Sequence, residues 1–408
     1  MGTNCFAPFP SSYPPFWQLV VFLSETHLPQ LLSADAYRDP EIAQREAASL
    51  FLPGWHCVAC VDDLSEPGAF LSRELLGHPI IVWRDGESVH AFLNVCAHRF
   101  SLLTDQPSGV MPSLKCRYHG WEYDANGDTK KIPDAKSFKP LQRGQLGLTR
   151  LPCQRVGQLI FVSLSDSPLP LQEYLGPAFD LCRKWFGEDT KLVLAARRSN
   201  HCNWKVSVEN SLESYHLTEV HSATFGGHPD ADFCRHRLYD DSHSELRVDR
   251  SSDFWLVRLA RRLERFTGML VETDYHQVHR YPNLVFAKFR PFRWMEAVYP
   301  LSASDSYDTW RFFSGGVSRQ TLRGRLIHRI LRLWGRRWFQ RVIDEDEAIF
   351  PSIQHGLESP TLPGTGLISM REERVHHFQR YVHQNQNNEP PRLVASPTAR
   401  TCHDPSCS

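Results

Sequence analysis

Short apolar runs broken by turn dipeptides dominate the first half of the chain, and longer helical periods return in the second. From Trp55 to about Leu164, the runs Pro79-Ile80-Ile81-Val82-Trp83, Val89-His90-Ala91-Phe92-Leu93 and Gln158-Leu159-Ile160-Phe161-Val162-Ser163-Leu164 read as strands. Asp85-Gly86 and Asn126-Gly127, followed by Asp128, read as the tight turns between such runs. Many short strands with tight turns predict a small β-sandwich or barrel. Ahead of it, residues 1 to about 34 are punctuated by Pro and Ser and read as an irregular lead-in. A helix is predicted from about Pro40 to Leu52, with Asp39 as cap, Pro40 at the first position and Glu41 in the first turn. Pro53-Gly54 stops it.

The pattern shifts after Ser165-Asp166-Ser167-Pro168. Lys191 to Arg198, Leu284 to Arg290 and Thr309 to Phe313 read as strands, and about Trp204 to Thr218 and Leu322 to Leu357 as helices. Strands with one or two long helices argue for an α+β domain on an antiparallel sheet. On the first of these helices Trp204, Val208, Leu212 and Tyr215 form an apolar stripe toward the core, and Glu209, Glu213 and His216 form another. The tail from about Asn385 is Asn-, Pro- and Ser-rich and reads as disordered. No fixed-period repeat is present.

Composition narrows the picture in three ways. The 408 residues suffice for two domains with their own cores. Lys and Arg balance Asp and Glu at 46 each, so neither nucleic acid nor an anionic membrane is expected as a general partner. No apolar run reaches the length of a membrane span, and no basic segment precedes Trp17 to Leu23, so no signal peptide is read. The 11 cysteines are odd in number and irregularly spaced, which argues against a disulfide framework and for a reducing, cytoplasmic setting. Cys57 and Cys60 have half-site spacing without a second such pair and read as strand or core cysteines. The arginines from Arg319 to Arg341 interleave with Leu, Ile and Trp and read as a solvated helix packed on the sheet, docking of an acidic donor or a membrane being the alternative. His201 and Cys202 read as structural, and His376, His377 and His383 as solvated.

The sharpest chemistry lies between Cys96 and His119. Cys96-Ala97-His98 and Cys116-Arg117-Tyr118-His119 are two short pairs, each able to grip metal from one loop. Two thiolates on one iron and two imidazoles on the other make the ligand set of a Rieske [2Fe–2S] centre, whose imidazoles raise the potential above that of an all-Cys cluster. Tetrahedral zinc is the rival for the same four residues. Zinc fingers usually keep the two cysteines in one pair and the two histidines in the other, whereas here each pair mixes them.

The flanks Asn94-Val95, Arg99 and Gly120-Trp121 complete a segment that resembles the cluster loops of Rieske non-haem iron oxygenases. The Rieske protein of cytochrome bc complexes fits less well, because Ser101 and Tyr118 stand where it has disulfide cysteines. A second segment strengthens the resemblance. Asn203-Trp204-Lys205, Glu209-Asn210, Glu213-Ser214-Tyr215-His216 and His221 follow the pattern around that family's mononuclear Fe(II). From spacing alone this helix reads as a solvated face with two ordinary histidines. A five-residue step rotates a side chain by about 140° on a regular helix. His216 and His221 share a metal only if the helix ends or bulges near Leu217 to Val220.

The resemblance implies that His216 and His221 are iron ligands. A 2-His-1-carboxylate triad needs one acid more. Asp346, on a stripe with Val342, Ile349 and Ile353, is favoured over Glu345, and Glu345-Asp346 ahead of Gln354-His355-Gly356-Leu357 follows the family pattern. The resemblance also implies that Glu213 acts in catalysis as a bridge from His216 to a cluster histidine of the neighbouring chain, His119 on the family pattern. Glu in place of Asp there is typical of quaternary-amine oxygenases.

The implied fold is α+β. A β-rich Rieske domain at 46–165 follows an N-terminal segment at 1–45, and precedes a helix-grip catalytic domain at 166–385 and a disordered tail at 386–408. The implied cofactors are the cluster and Fe(II), with NAD(P)H acting through a separate reductase or ferredoxin. The implied partners are that donor, O2, a small aromatic or quaternary-amine substrate and two further copies in a homotrimer. An electron-transfer protein that keeps the cluster without oxygenase activity is the alternative.

Overall fold

The computed structural model describes residues 22–142, 145–225, 231–239, 242–249, 262, 274–289, 291–315, 322–364, 366–388, 390 and 393. The expected disordered tail and Cys402 and Cys407 fall almost wholly or wholly outside them. Among the described residues two compact units emerge, one over 51–174 and the other over 22–50 with 175–388.

The first unit is β-rich, with every strand pair antiparallel. Its strands are β1 (Trp55–Cys60), β2 (Ala69–Leu75), β3 (His78–Asp85), β4 (Ser88–Leu93), β5 (Ser108–Val110), β6 (Leu114–Lys115), β7 (Glu122–Tyr123), β8 (Thr129–Lys131), β9 (Arg150–Leu151), β10 (Cys153–Val156) and β11 (Leu159–Ser163). They form sheets in the orders β9-β4-β3-β2-β5, β10-β11-β1 and β6-β7-β8. The Leu76-Gly77 turn between β2 and β3 has φ of 49° and 80°, a left-handed pair that Gly tolerates and Leu does not favour. Cys57 and Cys60 are buried in β1, as strand cysteines. Phe70, Ile81, Trp83, Phe92, Leu103, Trp121 and Tyr123 form a core that also contains Cys96 and Cys116. The cluster loops are thus anchored in this core.

The second unit is built on a seven-stranded antiparallel sheet. Its strands are β12 (Lys191–Asn200), β13 (Cys234–Leu238), β14 (His243–Asp249), β15 (Asp274–Arg280), β16 (Leu284–Phe289), β17 (Phe292–Pro300) and β18 (Ser306–Ser314), in the order β12-β18-β17-β16-β15-β14-β13. Its helices include α1 (Pro40–Glu46), α2 (Trp204–Leu212), α3 (Leu322–Glu347), α4 (Phe350–Leu357) and α5 (Glu373–Asn385). Leu331, Phe339 and Ile343 of α3 pack on Val193, Leu194, Phe292 and Phe312 of the sheet, which gives the helix-grip arrangement. Gly335 allows this close approach, since a Cβ there would sit 2.8 Å from the Phe292 ring. The Arg-rich helix therefore does pack on the sheet by one face. Among the described residues no helix is long and apolar enough to cross a membrane.

Several expectations are corrected. The helix expected over 204–218 ends at Leu212, and Tyr215 is exposed rather than on the core stripe. Glu209 leaves the stripe of Glu213 and His216, because Tyr37 Oη donates to its Oε1 at 2.6 Å. The helical stretch 322–357 is two helices, and the interruption turns Ile349 and Ile353 outward, off the stripe expected for Asp346. His376 and His377 are buried in α5, because that helix packs on the sheet rather than standing in solvent.

Candidate metal centres

The two cluster loops repeat one backbone device. Cys96 N–H donates to Ser101 O at 2.8 Å and Phe100 N–H to Cys96 O at 3.0 Å. Cys116 N–H donates to Trp121 O at 2.8 Å and Gly120 N–H to Cys116 O at 3.0 Å. Each turn closes through a left-handed residue, Phe100 at φ 59° and Gly120 at φ 72°. Phe100 adopts that conformation with its ring out in solvent. Asn94 fixes the base of the first loop: its Nδ2 donates to Thr104 O at 2.7 Å and Ser72 Oγ at 2.9 Å, while Oδ1 accepts from Leu103 N–H at 3.1 Å.

This brings the four predicted residues together with the thiols buried, His98 half-buried and His119 exposed. The His98 and His119 rings are 4.6 Å apart, and His98 stacks on Trp121 at 4.9 Å. His98 Nδ1 is buried without a hydrogen-bond partner among the described residues, as an imidazole nitrogen reserved for metal would be. Burial, then His119 and Arg99, lowers the His98 pKa and favours the neutral, ligating form. Burial pushes the Cys96 thiol up. Tyr123 Oη lies 3.0 Å from Cys96 Sγ and accepts from Ala97 N–H at 3.1 Å. The donor set and the reserved nitrogen fit a Rieske cluster.

The second centre begins on α2. Asn203 caps that helix, its Oδ1 accepting from Lys205 N–H at 3.1 Å. The helix stops at Leu212 because its last carbonyls are taken from elsewhere. Gln277 Nε2 donates to Ser211 O at 3.1 Å, and the buried Arg374 Nη1 donates to Leu212 O at 3.1 Å. Glu213 is then extended, at φ −125° and ψ 172°, and a short turn over Tyr215–Thr218 carries His216. The α-helix breaks ahead of His216, and the short turn that carries His216 itself ends at Thr218, within the expected Leu217 to Val220, so the two histidines do not share one regular helix.

His221 Nε2 lies 3.0 Å and His216 Nε2 3.7 Å from Asp346 Oδ1. One ligand atom from each of the three lies within 4.8 Å of the others, a spacing able to hold a metal ion. Both rings are oriented from behind. Glu213 Oε1 faces His216 Nδ1, and Glu345 Oε2 lies 2.8 Å from His221 Nδ1. Asn210 Nδ2 donates to Asp346 Oδ1 at 2.9 Å. Burial alone would lower the His221 pKa, but the Asp346 and Glu345 carboxylates outweigh it and raise it. Two imidazoles and a carboxylate, each with an outer partner, fit a 2-His-1-carboxylate iron.

The triad and Glu213 line a cavity of about 130 Å³ whose other walls include Tyr275, Trp294, Trp310, Trp338 and Glu296. Glu345 as an orienting group, together with Glu296, Gln277 and Arg374, was missed by sequence reasoning. These last three lie on elements remote in sequence, and no local spacing links them to the histidines.

Comparison with known proteins agrees with this geometry. Residues 54–152 match the Rieske [2Fe-2S] domain, and residues 188–386 match the ring hydroxylating alpha subunit (catalytic domain). The glycine betaine monooxygenase oxygenase subunit of Chromohalobacter salexigens is 30% identical over 45% of this chain and 42% of its own length. The chloroplastic choline monooxygenase of Atriplex hortensis is 27% identical over 85% of this chain and 76% of its own. A solved quaternary ammonium Rieske monooxygenase superposes with a TM-score of 0.71 at 18% identity, covering 89% of this chain and 96% of that one. The two matched domains imply a Rieske cluster and a mononuclear iron. The chain belongs to the Rieske non-haem iron oxygenases, as an oxygenase-component (alpha subunit) chain with a Rieske domain ahead of the catalytic domain.

Proposed function

We propose that this chain is the terminal oxygenase of a Rieske system, using O2 and donor-supplied electrons to hydroxylate or oxidatively demethylate a small aromatic or quaternary-amine substrate. The observation that carries the reading is the approach of His216 Nε2 and His221 Nε2 to Asp346 Oδ1 at the wall of an aromatic cavity. Cys96, His98, Cys116 and His119 would hold the cluster, and His216, His221 and Asp346 the Fe(II). When bound, the cluster supplies single electrons and the iron a centre for O2 activation.

The chain's own residues do the rest. Glu213 and Glu345 hold the proton of each imidazole on Nδ1, which leaves both Nε2 lone pairs facing the carboxylate. Asn210 fixes the Asp346 carboxylate in that direction. The aromatic walls exclude water and hold the substrate. Glu213 lies between His216 and, in a head-to-tail homotrimer, His119 of the neighbouring chain, where a carboxylate between two imidazole N–H groups orients both. The electron donor is a separate NAD(P)H-dependent reductase or ferredoxin. The eight described cysteines form no disulfide with one another, in keeping with a reducing, cytoplasmic setting.

Iron analysis tests the reading. The oxygenase carries about three irons per chain, two in the cluster and one mononuclear. His216→Ala loses one iron and keeps the visible spectrum of the cluster. About two irons in both proteins would leave only an electron carrier.

A further inference from the structure

Among the described residues five acidic side chains are buried: Glu46, Glu245, Glu296, Asp308 and Glu373. Three have basic partners: Glu46 with Lys205 at 2.6 Å, Glu245 with Arg247 and His276 at 2.6 Å each, and Glu373 with His236 at 2.9 Å. Glu296 and Asp308 have none among the described residues. They are met by neutral groups instead: Ser211 Oγ donates to Glu296 Oε2 at 2.8 Å, Ser207 Oγ donates to Asp308 Oδ2 at 3.0 Å, and the Asn200 side chain also bonds Asp308. Glu296 Oε1 accepts no hydrogen bond from a described residue.

Of these two acids, Glu296 lines the cavity. Glu296 lies on β17 directly across from Trp310 on β18, and Trp294 precedes it on the same face. Trp294 is 5.7 Å from the Tyr275 ring, and Trp310 is 5.3 Å from the Phe339 ring. A carboxylate in such a wall is costly unless a positive charge joins it. Burial, then the neighbouring Asp308, pushes the Glu296 carboxyl well above its usual range. Ring faces attract cations, most strongly where water is excluded. Beside a neutral arene the acid is favoured in its protonated, uncharged form; an organic cation favours its carboxylate and satisfies the rings as well.

We propose that Glu296 is the counter-charge for a methylated ammonium group of the substrate, held against the rings of Tyr275, Trp294 and Trp310. This rests on the oxygenase reading and narrows its substrate to a small organic cation. It makes Glu296 the residue that distinguishes cation from neutral isostere.

The test is calorimetric titration of the iron-loaded protein with choline and with its uncharged carbon isostere, 3,3-dimethylbutan-1-ol. Choline binds at least about tenfold tighter. Glu296→Gln brings the two within about threefold by weakening choline alone, while Glu296→Asp keeps a preference. Retained mononuclear iron in each variant reports that its catalytic unit has folded. Equal binding of the two ligands by the unmodified protein overturns the proposal, as does a preference that survives Glu296→Gln. The first of these needs no variant to fold. Donor-driven O2 uptake with arenes and no choline binding sinks the proposal while the oxygenase stands. Loss of the mononuclear iron sinks the oxygenase reading whatever choline does.

Discussion

Replacing Glu345 is expected to weaken the mononuclear site without emptying it. Its Oε2 lies 2.8 Å from His221 Nδ1, whereas Asp346 Oδ1 lies 3.0 Å from Nε2 of the same ring. The adjacent acids thus sit on opposite sides of one imidazole, one facing the metal position and the other behind it. Burial pushes the Glu345 carboxyl up, but hydrogen bonds from Thr224, His221 and Arg341 outweigh that and hold it below its usual range. A hydrogen bond to a charged group contributes about 1.5–3 kcal/mol, and a neutral acceptor about half as much. Glu345→Gln therefore costs roughly 1 kcal/mol at His221, or several-fold to about tenfold in iron affinity. Glu345→Ala removes the acceptor behind a buried ring and costs up to about a hundredfold, the upper range for outer partners of metal ligands. Asp346→Asn removes a ligand and leaves no measurable mononuclear iron. The assay is competition for the mononuclear iron by a ferrous chelator, with the cluster absorbance recorded in parallel as a control on folding. Wild-type affinity in Glu345→Ala would refute the reasoning. So would iron retained in Asp346→Asn but absent from Glu345→Gln, which would exchange the roles of the two acids.

Three further outcomes are expected. Tyr123 Oη, 3.0 Å from Cys96 Sγ, donates to that sulfur once Cys96 is a thiolate ligand. Tyr123→Phe then lowers the cluster potential by about 40 mV, the equivalent of about 1 kcal/mol for one electron; an unchanged or raised midpoint in voltammetry would refute this. His56 is fully buried, and burial lowers its pKa to about 4. Between the unfolded pKa of about 6.5 and that value, the unfolded chain takes up a proton that the folded chain refuses. Stability therefore falls as pH drops through this window, by up to about 3 kcal/mol. Denaturant midpoints measured against pH should flatten in His56→Gln, leaving the same-signed contribution of His377, whose pKa burial also lowers to about 4. Lys205 and Glu46 are both completely buried and 2.6 Å apart. Lys205→Met costs about 3–5 kcal/mol by stranding the Glu46 carboxylate, and adding Glu46→Gln recovers part of it in denaturant titrations.

The chain made some of this legible and hid the rest for physical reasons. Cys96, His98, Cys116 and His119 were readable because one cluster's ligands come from two loops on either side of a short insert. Asp39 as a helix cap was readable because capping is a matter of three residues, and the structure has Asp39 Oδ1 accepting from Glu41 N–H at 2.7 Å. The end of α2 at Leu212 was not readable, since local propensity continues through Tyr215. Gln277 on β15 and Arg374 on α5 decide it from opposite directions. His376 and His377 looked solvated in a polar sequence, yet α5 packs against the sheet and buries them. Glu296 gave no signal at all, because its meaning depends on Trp310 across the strand pair and on the lack of a basic partner among the described residues.

The break in α2 ties these observations into one mechanism of assembly. Had the helix continued, Ser211 O and Leu212 O would accept from Tyr215 and His216 N–H. Gln277 and Arg374 occupy those carbonyls, so the two N–H groups turn to the Glu213 carboxylate, which also faces His216 Nδ1. One acid therefore fixes both the backbone and the ring of His216. An Asp at position 213 would reach less far, and the same set of bonds would require the backbone to move closer. The Glu is thus matched to a break whose position is set by β15 and α5. The geometry at His216 is a property of the whole catalytic unit rather than of the segment that carries the motif.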